Sequence, residues 1–541
     1  MRSTAPPRLA AVALVALLGT AACTTATSSG TGPQGGRQTV TIGTTDQVSS
    51  IDPAGSWDAG SGTVETEVYA TLLSAPNGST DVKPDLAASI SLAAPTKYTV
   101  RLKPGLKFTN GHELSSSDVK FSFERQLKIA DKNGPSSLLY NLDSVAAPAP
   151  DTVDFTLKSA NDTLFPQVLT TAAGLIVDEE VFPADKILDD DAVVAGKPWS
   201  GPYVIDSYAK NSLVSFSPNP AYQGSLGTPK NTGVLLKYYT TAGNLKLDIQ
   251  QGNIDVVYRT LTIRDLQDLG TKPEIVLHTG SGNGIRFIVF NLKTQPFGSA
   301  TPQADPAKAL AVRKAAASLI DRAQLADQVY KGTFQPLYSY VPQGITAATE
   351  SLKPLYGDKR GGPDKAAAAQ LLSAAGVSPP VALNLQYNTD HYGSSSEDEY
   401  ALIKTQLEAD GLFKVTLQST EWAQYTKQRV ADQYPAYQLG WYADYLDADN
   451  YVGSFFGPGN WVNNGYTDPA VLALIKQEQT EVDPAKRTAA LRQIQDTVAA
   501  ALPIVPLLQG STAIVTRAGI DGVPKQLDSA YQFRWAELSK R

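Results

Sequence analysis

The stretch from Leu439 to Phe456 (LGWYADYLDADNYVGSFF) sets Asp444, Asp447 and Asp449 among Trp441, Tyr442, Tyr445, Tyr451 and Phe455, with no basic residue between them. Aromatic faces supply flat apolar walls and carboxylates supply fixed acceptors, so such a segment can hold a small molecule by a cationic end. The competing reading is a surface loop of aromatics capped by solvated acids, and composition alone does not separate the two.

Catalytic alternatives find little support elsewhere in the chain. His112, His278 and His391 are scattered, without the i, i+4 spacing or the cysteine partners of a transition-metal site. His112 lies in an Asn-Gly-His-Glu turn and reads as solvated. No serine stands in a G-x-S-x-G elbow and no G-x-x-x-x-G-K-[ST] cradle is present. The three acids of 439–456 mimic a glycosidase pair, but neighbouring acids on one loop are more often solvated or counter-paired. The expectation is a binding protein with no catalytic residue, no metal and no cofactor.

The elements that must position this stretch alternate between strands and helices across 541 residues, which argues an α/β class and two or three domains. Alternating apolar residues predict strands over 38–44 and 97–102, and apolar runs predict others over 254–258 and 286–291. A hairpin is expected around Lys210-Asn211. Helices are expected over 63–73 and from Ser115 onward, the latter with Val119, Phe123 and Leu127 as its apolar stripe. Three Asp-Pro pairs, at 305–306, 468–469 and 483–484, combine an N-cap with a first-turn proline and predict three further helix starts. The last should bury Leu491, Ile494 and Val498. Strand-like PIVPLLQ and TAIVTR close the chain.

The N-terminus reads as an export signal over 1–22: Arg2 and Arg8, an apolar run from Leu9 to Gly19, then Thr20-Ala21-Ala22 before Cys23. Cys23 is the only cysteine and stands where a lipobox places the lipid-bearing residue, although Thr20 replaces the usual leucine. A secreted protein with a free thiol is the alternative. The Ser/Thr/Gly-rich segment 23–37 reads as a flexible tether reaching roughly 20 Å. With 46 basic against 53 acidic residues and a net charge of -7, nucleic acid is not an expected partner.

Six segments in order resemble the family 5 solute-binding proteins of ATP-binding-cassette (ABC) importers, the oligopeptide, dipeptide and nickel class. They are KYTVRLKPGLKFTNGHELSSSDVKFSFERQL (97–127), WSGPYVIDSY, QQGNIDVV, FNLKTQPF with AVRKAAASLIDRAQL, GWYADYLDADNY, and the DPAKR to ALPIVPL ending. Asn253 stands where glutamate is more usual, and Ala448 follows Asp447 where the family usually has proline. The resemblance implies a two-lobed, type II (cluster C) periplasmic-binding-protein fold that closes on its ligand. Lobe I would comprise 38–69, 191–292 and 506–541, with a subdomain inserted over 70–190. Lobe II would run over 293–505, with hinges near Asn291 and Pro506.

The same resemblance implies roles for particular residues. Asp444 would hold a peptide α-ammonium, Trp441 would wall a side-chain pocket that Trp422 also lines, Tyr445 would contact the ligand, and Arg429 would meet the peptide carboxylate. The protein would then be a monomeric lipoprotein handing peptides to an ABC permease and its ATPase subunits. Because the family carries several ligand classes on one scaffold, a same-fold receptor for oligosaccharides, stacked on Trp57, Trp441 and Trp461, stands as the alternative.

Overall fold

The computed structural model describes residues 38–75, 81–259, 261–279, 282–393, 395–510, 513–523 and 533–541. The export signal, Cys23 and the tether lie outside the described residues.

Two large sheets organise the chain. The first has seven strands in the order Ile275–His278, Ile514–Arg517, Val256–Tyr258, Val40–Thr44, Val234–Tyr238, Leu213–Pro218 and Tyr203–Ala209. The second has six: Phe334–Pro336, Ile504–Gly510, Gly284–Phe290, Ala436–Trp441, Val381–Asn388 and Phe413–Thr420. A four-stranded antiparallel sheet, Ala87–Ala94, Lys97–Leu102, Thr152–Leu157 and Leu142–Ala149, carries its own core around Val100, Phe123 and Phe155. Gly284–Phe290 and Ile504–Gly510 are buried along their whole length, because helices cover both faces of the sheet they centre.

The sequence reading groups 284–292 with lobe I and divides Ile504–Gly510 at Pro506. Both strands instead pair side by side within the six-stranded sheet, Ile285 opposite Gln509. The chain passes from one large sheet to the other between His278 and Gly284, and returns between Gly510 and Ile514.

Local signals account for the helix starts. Asp305, Asp468 and Asp483 each accept from two backbone N–H groups of the following turn, with proline at the first helical position. Ser115 and Asp118 form a reciprocal capping box on Ser116–Ile129. Leu127 nevertheless stays exposed, and the buried face is Val119, Ser122, Phe123 and Gln126. Steps of i, i+4, i+8 drift around a 3.6-residue helix, whereas i, i+3, i+4, i+7 stay on one side.

Two other expectations change. The helix placed at 63–73 runs over Ala59–Val68, started by Asp58 accepting from Ser61 N–H, and Leu73–Ser74 pairs as a short strand with Lys83–Pro84. His112 is not free in solvent: its Nδ1 lies 2.8 Å from the buried carboxylate of Asp178.

A buried ion pair ties the helix Ser116–Ile129 to the segment that follows strand Val40–Thr44. Arg125 donates in parallel to Asp52 at 2.7 and 2.6 Å, and again to the carbonyls of Pro183 and Lys186, both at 2.7 Å.

Candidate ligand site between the sheets

Strand Ala436–Trp441 ends at the tryptophan, and the chain turns into the helix Asp449–Phe456. Asn450, in the first turn of that helix, folds back over the turn. Its Oδ1 accepts from Trp441 Nε1 at 2.9 Å and from the Asp444 backbone N–H at 3.0 Å, while its Nδ2 donates to Asp444 Oδ2 at 3.2 Å.

The three acids of this stretch then part company. Asp447 receives two parallel bonds from Arg487, at 2.7 and 2.8 Å, and Arg487 also pairs with buried Glu478 at 3.0 Å. Asp449 accepts from Tyr445 Oη and from Gln479 Nε2, both at 3.1 Å. Asp444 keeps only Asn450 as a side-chain partner among the described residues. Burial raises its carboxyl from the ordinary range to about 6, with the Asn450 bond opposing the shift.

Asp444 faces a cavity of about 50 Å³ together with Ala443 on its own side and Trp57, Asp58, Glu65 and Thr66 from the opposite side. Glu65 is buried on the helix Ala59–Val68, which packs into the core of the seven-stranded sheet. Its carboxylate accepts from the Ser56 hydroxyl at 2.5 Å. Burial, then the Ser56 bond in opposition, then the charges of Asp58, Asp52 and Asp190 act on it, and the outcome is a carboxyl well above its usual value. Carboxylates from both sides of the gap thus surround one small space, which suits a cation.

Tyr442 lines this cavity and also a second one of about 160 Å³. The second is walled by Arg259, Leu261 and Ile263 on one side and by Arg286, Phe334 and Tyr392 on the other. Arg286 is buried on strand Gly284–Phe290 and donates from Nη2 to Tyr442 Oη at 2.7 Å. Burial pushes the tyrosine hydroxyl up, but the Arg286 charge and hydrogen bond, with Arg259, hold it below its ordinary value.

The other residues singled out from the sequence divide between the site and its scaffold. Trp441 packs edge-on against Phe455 and beside Trp461, at ring separations of 5.6 and 5.2 Å, and Tyr445 braces Asp449. Trp422 stacks on His391 at 3.8 Å and meets Tyr392 edge-on at 5.5 Å, so it backs the wall of the second cavity. Arg429 is the residue expected to meet a ligand carboxylate. It is buried, donates to the carbonyls of Trp461 and Val462 at 3.0 and 3.2 Å, and lies under the Trp461 ring at 4.4 Å. Among the described residues its Nε has no hydrogen-bond partner.

Asn450, Glu65 and Arg286 were not singled out from the sequence, and Tyr442 only as one of several aromatics. Asn450 falls six residues after Asp444, a separation with no periodic meaning until a turn and a helix start lie between them. Arg286 alone carried a signal, as a cation inside an otherwise apolar strand, GIRFIVF.

The gap between the two sheets is acidic at one end and basic at the other. The fold is the two-lobed, type II arrangement of periplasmic binding proteins: the ABC transporter substrate binding protein CtaP of Listeria monocytogenes superposes with a TM-score of 0.78 at 21% identity, over 94% of this chain and 99% of that one. Residues 81–463 match the model of the bacterial extracellular solute-binding proteins, family 5 (middle region), and the chain belongs to that family. It is 26% identical over 476 residues to di/tripeptide-binding protein 1 of Pseudomonas aeruginosa, covering 81% of this chain and 83% of that protein. It is 22% identical over 514 residues to the oligopeptide-binding protein OppA of Bacillus subtilis, covering 90% of each. Membership of a family of extracellular binding proteins makes it a solute receptor rather than an enzyme.

Proposed function

We propose that the protein captures short peptides with a free α-ammonium in the cleft between its lobes and delivers them to the membrane permease of an ABC importer. The observation that carries this reading is Asp444, an acid with no cationic partner among the described residues, opening on a cavity that Glu65 shares from the other lobe. An ammonium brings three donors and one positive charge to that space. The names of the relatives, a di/tripeptide-binding and an oligopeptide-binding protein, agree with it. The peptide backbone would pair along the cleft as an added strand, which gives affinity without demanding particular side chains.

In this reading Asp444 is the ammonium contact, Trp441 and Tyr445 shape the loop that presents it, and Trp422 backs the adjoining wall. Closure of the two lobes around the ligand would follow the hinge motion of two-lobed receptors. Cys23 would carry the lipid that holds the body at the outer face of the cell membrane, and mass spectrometry of the mature N-terminus tests that.

Native mass spectrometry of the body purified without denaturation tests the ligand class. A mass ladder spaced by amino-acid residues is expected. A ladder spaced by hexose units would overturn the peptide reading in favour of sugars.

A further inference from the structure

We infer that the cavity beside Arg286 seats a carboxylate of the ligand, so that the receptor selects molecules bearing an ammonium and a carboxylate one short reach apart. The inference rests on the peptide reading above and sharpens it.

Arg286 is 3% exposed and therefore sits in the protein interior with a permanent charge. Among the described residues no carboxylate lies within ion-pair distance of it. Glu399, the acid that acts on it, is buried and accepts at Oε2 from Tyr330 Oη at 3.0 Å and Gln438 Nε2 at 3.4 Å. Nη1 donates to the Ile285 carbonyl at 3.1 Å and Nη2 to Tyr442 Oη, but among the described residues Nε has no hydrogen-bond partner. A buried guanidinium short of a counter-charge is costly unless something brings one.

The surroundings prepare that charge for a planar oxyanion. The rings of Tyr392, Tyr442 and Phe334 pack around the guanidinium at 4.8, 5.2 and 5.5 Å from its carbon. Aromatic faces stabilise the cation and occupy its flanks, which leaves in-plane N–H donors for a carboxylate. Space for this cage comes from three glycines on adjacent strands. A Cβ on Gly440, which pairs with Arg286 across the sheet, would lie 2.7 Å from Nη1 and 2.9 Å from Tyr392 Cε1. One on Gly284 would lie 3.0 Å from Tyr442 Cε1, and one on Gly510 would lie 2.4 Å from the Phe334 ring.

Arg286 faces an open cavity of about 160 Å³ whose far wall brings Arg259, paired with Asp46 at 3.2 Å, and the apolar Leu261 and Ile263. Tyr442 belongs to both this cavity and the one beneath Asp444, so one short zwitterion can reach both charges.

The test is isothermal titration of the purified protein with trialanine, its C-terminal amide and its N-acetyl form. Wild type should bind the free acid at least tenfold more tightly than the amide. Arg286→Gln should bring the acid down to the level of the amide and leave the amide unchanged, and Arg286→Lys should keep part of the preference. Equal affinity of wild type for acid and amide overturns the carboxylate seat while leaving the peptide reading intact. A loss in Arg286→Gln that falls equally on acid and amide overturns it too, because Arg286 is then structural. Should Arg286→Gln not fold, Ile263→Glu, which sets a negative charge at the cavity wall, is expected to erase the acid preference; an unchanged preference counts against the inference.

If none of the three peptides binds, the peptide reading fails and the seat is judged separately by thermal unfolding with N-acetylglycine and with inorganic phosphate. Stabilisation of wild type by the carboxylate that is reduced in Arg286→Lys and lost in Arg286→Gln supports the seat. Stabilisation by phosphate alone, or by neither, overturns it.

Discussion

Asn450 holds Asp444 from two directions, accepting from its backbone N–H at 3.0 Å and donating to its carboxylate at 3.2 Å. The acid is therefore fixed in place by a neutral group, and its charge is left for a ligand. Asn450→Ala would remove both bonds and also strand Trp441 Nε1, which donates to the same oxygen. Buried polar groups left unpaired cost roughly 1–3 kcal/mol each, so a stability loss on the order of 3 kcal/mol in urea unfolding is expected. Peptide affinity should fall with it, because the carboxylate loses its orientation. A variant of unchanged stability and affinity would show that the turn needs no such brace.

The pH dependence follows from the same acid. Its folded value of about 6 lies above that of a free aspartate, so between roughly pH 4 and 6 the empty folded protein binds more protons than the unfolded chain. This group's contribution to stability falls as pH rises through that window. An ammonium ligand favours the ionised form, so binding releases a proton there. Affinity should rise by at most about tenfold per pH unit up to pH 6 and then level off. Titrations at pH 5 in buffers of different ionisation enthalpy read the released proton directly, and the N-acetyl peptide should release none. Equal proton release by both peptides would remove Asp444 from the ammonium site.

Arg125 and Asp52 are each almost fully buried, and neither faces the cleft. Arg125→Met leaves the Asp52 carboxylate buried and unpaired, with an expected cost of about 3–5 kcal/mol. The double variant with Asp52→Asn should recover much of that loss, since the uncompensated charge is gone. Urea midpoints of the two variants check this, and a double variant no better than the single would argue that the carbonyl bonds of Arg125 dominate.

Gly440 and Gly243 make a matched pair of alanine tests. A Cβ at Gly440 meets the Ile285 carbonyl at 2.8 Å as well as Arg286, so Gly440→Ala should cost about 1–3 kcal/mol and weaken peptide binding. Gly243, in the helix Ala242–Gln251, has open space around it, and Gly243→Ala should stabilise by about 0.4–1 kcal/mol with binding unchanged. Thermal unfolding and one titration per variant suffice.

Much of the fold was legible because its signals are local. Asp305, Asp468 and Asp483 announce their helices through bonds to the next two or three residues, and Val40, Ile42 and the KYTVRL alternation announce strands by a two-residue period. Where a local signal was weak, the reading slipped. Gly60 and Gly62 hid the start of the helix capped by Asp58, and a strand pairing at Leu73 cut short its predicted end. The acidic, aromatic stretch 439–456 and its candidate Asp444 were likewise visible as composition.

Which groups in that stretch remain available was decided only by the tertiary structure, because pairing is a matter of distance in space. Arg487, forty residues on, neutralises Asp447, and the carbonyls of Trp461 and Val462 take up Arg429. Arg286 reaches Tyr442 across 156 residues because their strands are brought together by the six-stranded sheet. Glu65 meets Asp444 only across the gap between the lobes. The sequence by itself determined the family, the class of fold and the supply of charged and aromatic groups, since these are carried by residue types in order along the chain. Folding determined which charges cancel and which stay uncompensated in the cleft, because a charge is cancelled only by a partner that packing places beside it.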